Sequence, residues 1–435
     1  MTTQLRERAT ARTSVAAFAE ELFGPLPRTD QRRWAQVYVQ GLLTTPGKKT
    51  TRRLAASVSD SRTASQALHQ FVNASPWEWA PIRAELARWV EQRTEPRAWT
   101  IGLAVVPKRG EQSCGVHRRF VPQAGRTVNC QVGIGAFLST DTEDVPVDWR
   151  LLLPDRWYDD PQLRRQARIP DTARRIPPEA QALDLIDSLA TRGSLAKVPV
   201  VADLTGYADT AEIVRGLVAR RRHFVVALPG TTPVLPERRL PVGGRADGPA
   251  ANGLSANGLG ANSPVANGPS ASGPGTNGLG TNGPGADSAE SAAAVAPIPV
   301  QRFLSPHRGR PARTALVRAR GGRSREVSVL SGLVRLPGAR PGEVPDQALR
   351  VFAEWDPVER GFGRMWITNL VNRPVGDILA LADLHNGTAD TVERLESDFG
   401  LRAFEGRSFP GWHHHMTLIS AAFAYSILTE NTDRL

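Results

Sequence analysis

Apolar positions at helical spacing dominate the first part of the chain. Val15, Phe18, Leu22 and Phe23 form one stripe, and Trp34, Val37, Tyr38 and Leu42 form another. Between them GPLPRTD is a breaker that offers a helix cap at Thr29 or Asp30. Residues 48–72, KKTTRRLAASVSDSRTASQALHQFV, predict two short helices, Thr51 to Ser57 and Arg62 to Val72, joined through Ser59 and Asp60. Two interpretations stay open here. One is a helix-turn-helix that turns Lys48, Lys49, Arg52 and Arg53 toward phosphate; the other is a pair of ordinary packed helices.

From Trp99 the pattern changes to β. Trp99 to Val106, Gly115 to Phe120 and Cys130 to Leu138 read as strands of an antiparallel meander, with Gly125 at a turn. Past Pro177-Pro178 the spacing predicts a helix over Glu179 to Thr191, a strand over Val198 to Ala202, a helix over Thr210 to Arg222 and a strand over Phe224 to Leu228. That alternation predicts an α/β fold with a mixed sheet. Asp203 stands at the end of its strand. Asn252, Asn257, Asn262, Asn267, Asn277 and Asn282 then recur every five residues, with Ser272 in the missing slot. This Gly, Ala, Pro and Asn tract has too little apolar surface to offset its ordering entropy and reads as a linker.

The chain resumes with Arg302, Arg308, Arg310, Arg313, Arg318, Arg320, Arg323 and Arg325, and with a β-type run over Val327 to Val334. So dense a basic segment suits the DNA backbone, against the plainer interpretation of a solvated loop. Near the end come a strand at Trp366 to Leu370, a break at Pro374, and helical patterns at Ile378 to Leu384, Val392 to Phe399 and Met416 to Leu428.

Composition adds a partner class. The net charge is +11, carried almost wholly by Arg, since Lys48, Lys49, Lys108 and Lys197 are the only lysines. Arginine's planar fork suits phosphate, although GC-rich codon usage would fill a surface with Arg as well. Cys114 and Cys130 fit buried thiols better than a disulfide framework or a zinc site. No apolar run reaches membrane-spanning length and the N-terminal residues lack a signal-peptide core, so a soluble, cytoplasmic, nucleoid-associated protein without a membrane partner is expected.

Three phrases carry a family resemblance: GVHRRFVPQAGRTVNCQVGIG, LLLPDRWYDDP and, from Gly400, GLRAFEGRSFPGWHHHMTL. They resemble insertion-sequence DDE transposases of the Tyr-Arg-Glu-Lys signature type. The resemblance, which includes residues 31–43 in modified form, makes a DNA-contacting helical N-terminus the expectation. It also implies an RNase H-like core interrupted by an insertion. The expected order is a helical domain (1–95), the first part of the core (96–240), the linker (241–297), a basic β-rich segment (298–364) and the rest of the core (365–435).

In that family three carboxylates hold two divalent ions that activate the attacking oxygen and stabilise the leaving one. Aligned without gaps, the second acid falls on Asp203, the first on Gly102 and the third on Ala389, with His385 in place of the signature Arg. The three positions are expected to converge on one shallow pocket. Glu393, one helical turn past Ala389, is a conceivable substitute, whereas Asp390 is turned roughly 100° away. His413, His414 and His415 read as packing residues rather than a metal site, because adjacent helical residues diverge.

The resemblance thus leaves two main readings. One is a transposase-derived DNA-binding or regulatory protein with a degenerate triad and no cofactor, bound to duplex DNA through Lys48, Lys49, Arg52, Arg53, Arg308, Arg310, Arg313, Arg318 and Arg320. The other is an active Mg²⁺-dependent transposase; a protein-interaction scaffold is a distant third. A homodimer is one oligomeric state left open.

Overall fold

The structure, a computed structural model, describes residues 14–121, 124–191, 197–237, 296–305, 312–318, 320–338 and 347–430. The expected linker lies almost wholly outside them, as do Arg308 and Arg310.

Among the described residues five helices come first: α1 (Val15–Phe23), α2 (Thr29–Thr44), α3 (Thr51–Val58), α4 (Ala64–Asn73) and α5 (Trp79–Glu91). Ser14 caps α1 by accepting a hydrogen bond from the Ala17 amide at 3.1 Å. The cap expected at Thr29 or Asp30 is not made. Thr29 is already the first helical residue and Asp30 sits in the first turn, where its charge complements the helix dipole instead. The expected helix pair is present as α3 and α4.

The sheet then begins with β1 (Ala98–Pro107), β2 (His117–Val121), β3 (Arg126–Ser139) and β4 (Asp144–Leu151). These do not form a meander in chain order: β3 is central, pairing antiparallel with β1, with β2 and with β4. Short helices α6 (Arg156–Asp159) and α7 (Pro161–Gln166) follow. Next come α8 (Pro178–Ala190), β5 (Val200–Ala202), α9 (Thr210–Ala219) and β6 (Phe224–Leu228). β5 lies parallel to β1, and β6 parallel to β5. The order β4-β3-β1-β5-β6, with three antiparallel strands followed by two parallel ones, is the RNase H-like arrangement.

An insertion extends the sheet. It holds β7 (Pro233–Pro236), β8 (Ile298–Pro299), α10 (Val300–Leu304), β9 (Arg313–Arg318), β10 (Ser324–Arg335), β11 (Leu349–Asp356) and β12 (Gly361–Thr368). β12 returns to pair with β6, so the insertion is continuous with the core sheet. The chain closes with α11 (Val375–Ala382), α12 (Leu384–Ser397) and α13 (Phe409–Glu430).

α13 starts well before the expected Met416 because its first turns carry Trp412 and the three histidines, all buried. Each ring has its own packing partner. His414 stacks on Trp77 with ring centroids 3.8 Å apart, and His413 on Trp79 at 4.4 Å. The His414 nitrogens face the carbonyls of Val72 and Trp77, each at 2.8 Å. Arg83 of α5, itself buried, donates to the His413 carbonyl at 2.9 Å, to Thr417 Oγ1 at 2.8 Å and to Asp148 Oδ1 at 3.0 Å. Burial pushes all three imidazoles down, His414 to about 4 and His415 to about 3. These rings therefore join the N-terminal helices to the sheet through α13.

Candidate functional site

The registers of β1 and β5 put Ile101 beside Ala202, so the next residues, Gly102 and Asp203, are neighbours on one sheet face. Asp203 is only 8% exposed. Its Oδ1 accepts hydrogen bonds from the Thr205 amide at 3.0 Å and from Thr205 Oγ1 at 2.6 Å. Its Oδ2 pairs with an Arg364 guanidinium nitrogen at 2.6 Å, and His385 Nε2 stands 3.7 Å away. Both carboxylate oxygens are thus engaged by side chains of this protein.

Arg364 comes from β12, which reaches Asp203 by pairing with β6, itself the neighbour of β5. His385 comes from the first turn of α12. Burial drives its ring down to about 4, against the opposing pull of Asp203 and with the help of Arg364. The imidazole is consequently neutral at physiological pH and the cation at this carboxylate is Arg364.

Helix α12 rests on Gly102 through Thr388. A Cβ at position 102 would meet Thr388 Oγ1 at 3.1 Å, its Cβ at 3.3 Å and Phe137 Cε2 at 3.5 Å. Ala389, expected at the same pocket, is exposed, and so are Asp390 and Glu393. The helix turns Leu384, Gly387, Thr388, Thr391 and Leu395 inward, and this periodicity carries Ala389 and Glu393 away from Asp203. Gly102 and Asp203 come together; Ala389 does not join them, and His385, Thr388 and Arg364 stand there instead.

A metal pair does not fit this donor set. Among the described residues no three His, Cys, Asp or Glu side chains are grouped so as to hold an ion. The one carboxylate present is neutralised by a guanidinium, which would also repel an incoming dication.

The basic segment has a double character. Arg320 does not face solvent as a free phosphate ligand would: its two terminal nitrogens donate to Asp144 Oδ1 and Oδ2, each at 2.6 Å. Asp144 is fully buried, and a Cβ on Gly387 would overlap this pair, so glycine at 387 is what lets the bidentate bridge pass beneath α12. Arg325 bridges Glu354 and Asp383 at 2.5 and 2.9 Å. Arg313, Arg318 and Arg323 are exposed. At the other end of the chain Lys48, Arg52 and Arg53 are exposed, whereas Lys49 is buried and donates to the carbonyls of Leu42 and Thr45.

Arg364 and Thr388 carried no sequence signal of their own. Their role depends on the insertion strand folding back beside β6 and on the inward phase of α12, and neither is written in a local motif.

The chain matches the family described as DDE superfamily endonuclease over residues 21–252. It is also similar to a piggyBac transposase solved by cryo-electron microscopy as a synaptic complex with hairpin DNA. That similarity has 10% identity and a TM-score of 0.41, and covers 99% of this chain and 75% of the other. No curated protein matches it.

Proposed function

This chain belongs to the DDE superfamily of endonucleases, and from that premise we propose that it is a transposase-derived protein that binds duplex DNA without cutting it. The observation that carries this reading is the Arg364 guanidinium 2.6 Å from Asp203, at a site where Gly102 stands in place of one expected acid and from which Ala389, at the position of the other, is turned away. Two-metal phosphoryl transfer needs several oxygen ligands held around two dications. Here a half-exposed guanidinium already pairs with the surviving ligand. DNA as the partner is supported by family membership, by the net charge of +11 and by exposed cations on the N-terminal helices and the β9–β10 segment.

The same site supplies the test. Wild type and Asp203→Ala are incubated with supercoiled plasmid and with labelled duplex, in Mg²⁺ and in Mn²⁺. The expected outcome is duplex binding by both and nicking by neither. Metal-dependent nicking by wild type that disappears in Asp203→Ala would identify an active transposase and overturn the silent reading.

A further inference from the structure

The β2–β3 ribbon holds an aromatic side chain that the fold does not use. Phe120 is 58% exposed, one of only three large apolar side chains so exposed among the described residues. It pairs across the ribbon with Thr127, and Arg118 pairs with Asn129. Arg118 and Arg126 are exposed, and the described ribbon residues, 117–121 and 126–130, include three arginines and no acid.

The ribbon is fixed relative to the site. Along β3, strand alternation puts Thr127, Asn129 and Gly135 on one face, and Gly135 pairs with Gly102. Arg118 and Phe120 therefore share the sheet face of Gly102. Gly135 lies eight residue steps along β3 from Thr127, about 26 Å at ~3.3 Å per step. From the opposite face Arg119 stacks on Tyr207, 4.1 Å from the ring centroid, and donates to the Gly206 carbonyl, anchoring the ribbon to the loop that follows Asp203.

β2 is the outermost strand at its end of the sheet. Charged side chains alone would serve to keep such an edge from pairing with another chain, and an exposed phenyl ring works against that purpose. An arginine-flanked ring without acids instead matches a partner with regular negative charge and flat apolar faces. In duplex DNA those faces are stacked on one another, whereas an unpaired base offers one to a ring.

We propose that the β2–β3 ribbon is a single-strand platform, on which Phe120 stacks against an unpaired base of DNA and Arg118, two residues away on the same face, holds a neighbouring phosphate. The proposal builds on the duplex-binding reading and specifies the form of DNA end that this face accepts.

Affinity is measured for a blunt duplex and for the same duplex with a short single-stranded overhang bearing 2-aminopurine. Wild type is expected to favour the overhang about tenfold, with quenching of the 2-aminopurine as it stacks. Phe120→Ala should lose both the preference and the quenching while keeping blunt-duplex affinity; Phe120→Trp should retain them. Arg118→Ala should weaken overhang binding and flatten its salt dependence. An overhang preference unchanged in Phe120→Ala, or absent from a wild type that binds blunt duplex, overturns the platform and leaves the duplex-binding reading standing. Failure of wild type to bind blunt duplex is the separate result that removes that reading.

Discussion

Gly102 shows how a single missing side chain reshapes its surroundings. Without a Cβ there, Thr388 and Phe137 close over the strand, and the space an aspartate would need is occupied. Restoring the acid by Gly102→Asp is therefore expected to overpack the contact between β1 and α12 and cost about 1–3 kcal/mol. Denaturant unfolding with and without Mn²⁺ checks this. The variant should unfold at lower denaturant, and Mn²⁺ should give no compensating stabilisation, because Arg364 still occupies Asp203. A metal-dependent gain in stability would mean that the site reassembles on its own. The lack of acids at 102 and 389 was legible from the sequence; the guanidinium that pairs with Asp203 was not, since β12 and β5 meet only through the long-range pairing on β6.

At the scale of elements, three ion pairs surround α12: one passes beneath it, one ends on its N-cap residue and one starts from the helix itself. Arg320 reaches Asp144 beneath Gly387, Arg325 reaches Asp383 at the helix start, and Arg394 reaches Glu143 at 3.1 Å. Removing the guanidinium by Arg320→Ala would leave the buried Asp144 carboxylate unpaired, at a cost of about 3–5 kcal/mol. Chemical denaturation of Arg320→Ala against the exposed-site control Arg323→Ala separates this role from general loss of charge; equal stability of the two variants would show that the bridge contributes nothing.

The same bridges explain which elements could be read from sequence. α3 and α4 follow helical periodicity, and β6 is a continuous apolar run buried at every position. β4, by contrast, buries Asp144 and Asp148, because Arg320 and Arg83 neutralise them, so its polar positions do not face water and alternation gives no signal. α13 escapes in its first turns for a related reason: its buried histidines look polar in sequence and behave as aromatic packing residues in the fold.

Those histidines, together with His385 on α12, also give the fold a pH signature. His385, His413, His414 and His415 all have pKa values below the ordinary imidazole value of 6.5, with burial the first cause in each. In the unfolded chain the same rings take up protons near pH 6.5. Between there and about pH 4, the value reached by His385 and His414, the unfolded state binds more protons than the folded one. Stability should thus be full above pH 6.5 and fall, by a few kcal/mol in order of magnitude, as the pH drops through that window. A series of unfolding midpoints from pH 7.5 to pH 4 reads this directly, and a flat profile would contradict the neutral, buried assignment of the rings.

Over the whole molecule, the +11 charge divides into cations consumed by the fold and cations left to solvent. Arg83, Arg320 and Arg325 belong to the first group, and Lys49 joins them through its carbonyl partners. Lys48, Arg52, Arg53, Arg313, Arg318 and Arg323 belong to the second. Sequence density could not make this division, because Arg318, Arg320 and Arg323 look equivalent in a linear list and differ only in what the folded chain places opposite them. If the DNA-binding reading holds, the two groups should separate in a salt titration. Each phosphate contact contributes about 0.9 to the slope of log affinity against log salt concentration, so Arg313→Ala, Arg318→Ala and Arg323→Ala combined should flatten the slope by up to roughly 2.7. Arg320→Ala, measured under conditions where that variant remains folded, should leave the slope where it was, since its guanidinium is already committed to Asp144. A slope reduced by Arg320→Ala and untouched by the three exposed substitutions would invert the assignment and place the DNA contact beneath α12 instead of along β9 and β10.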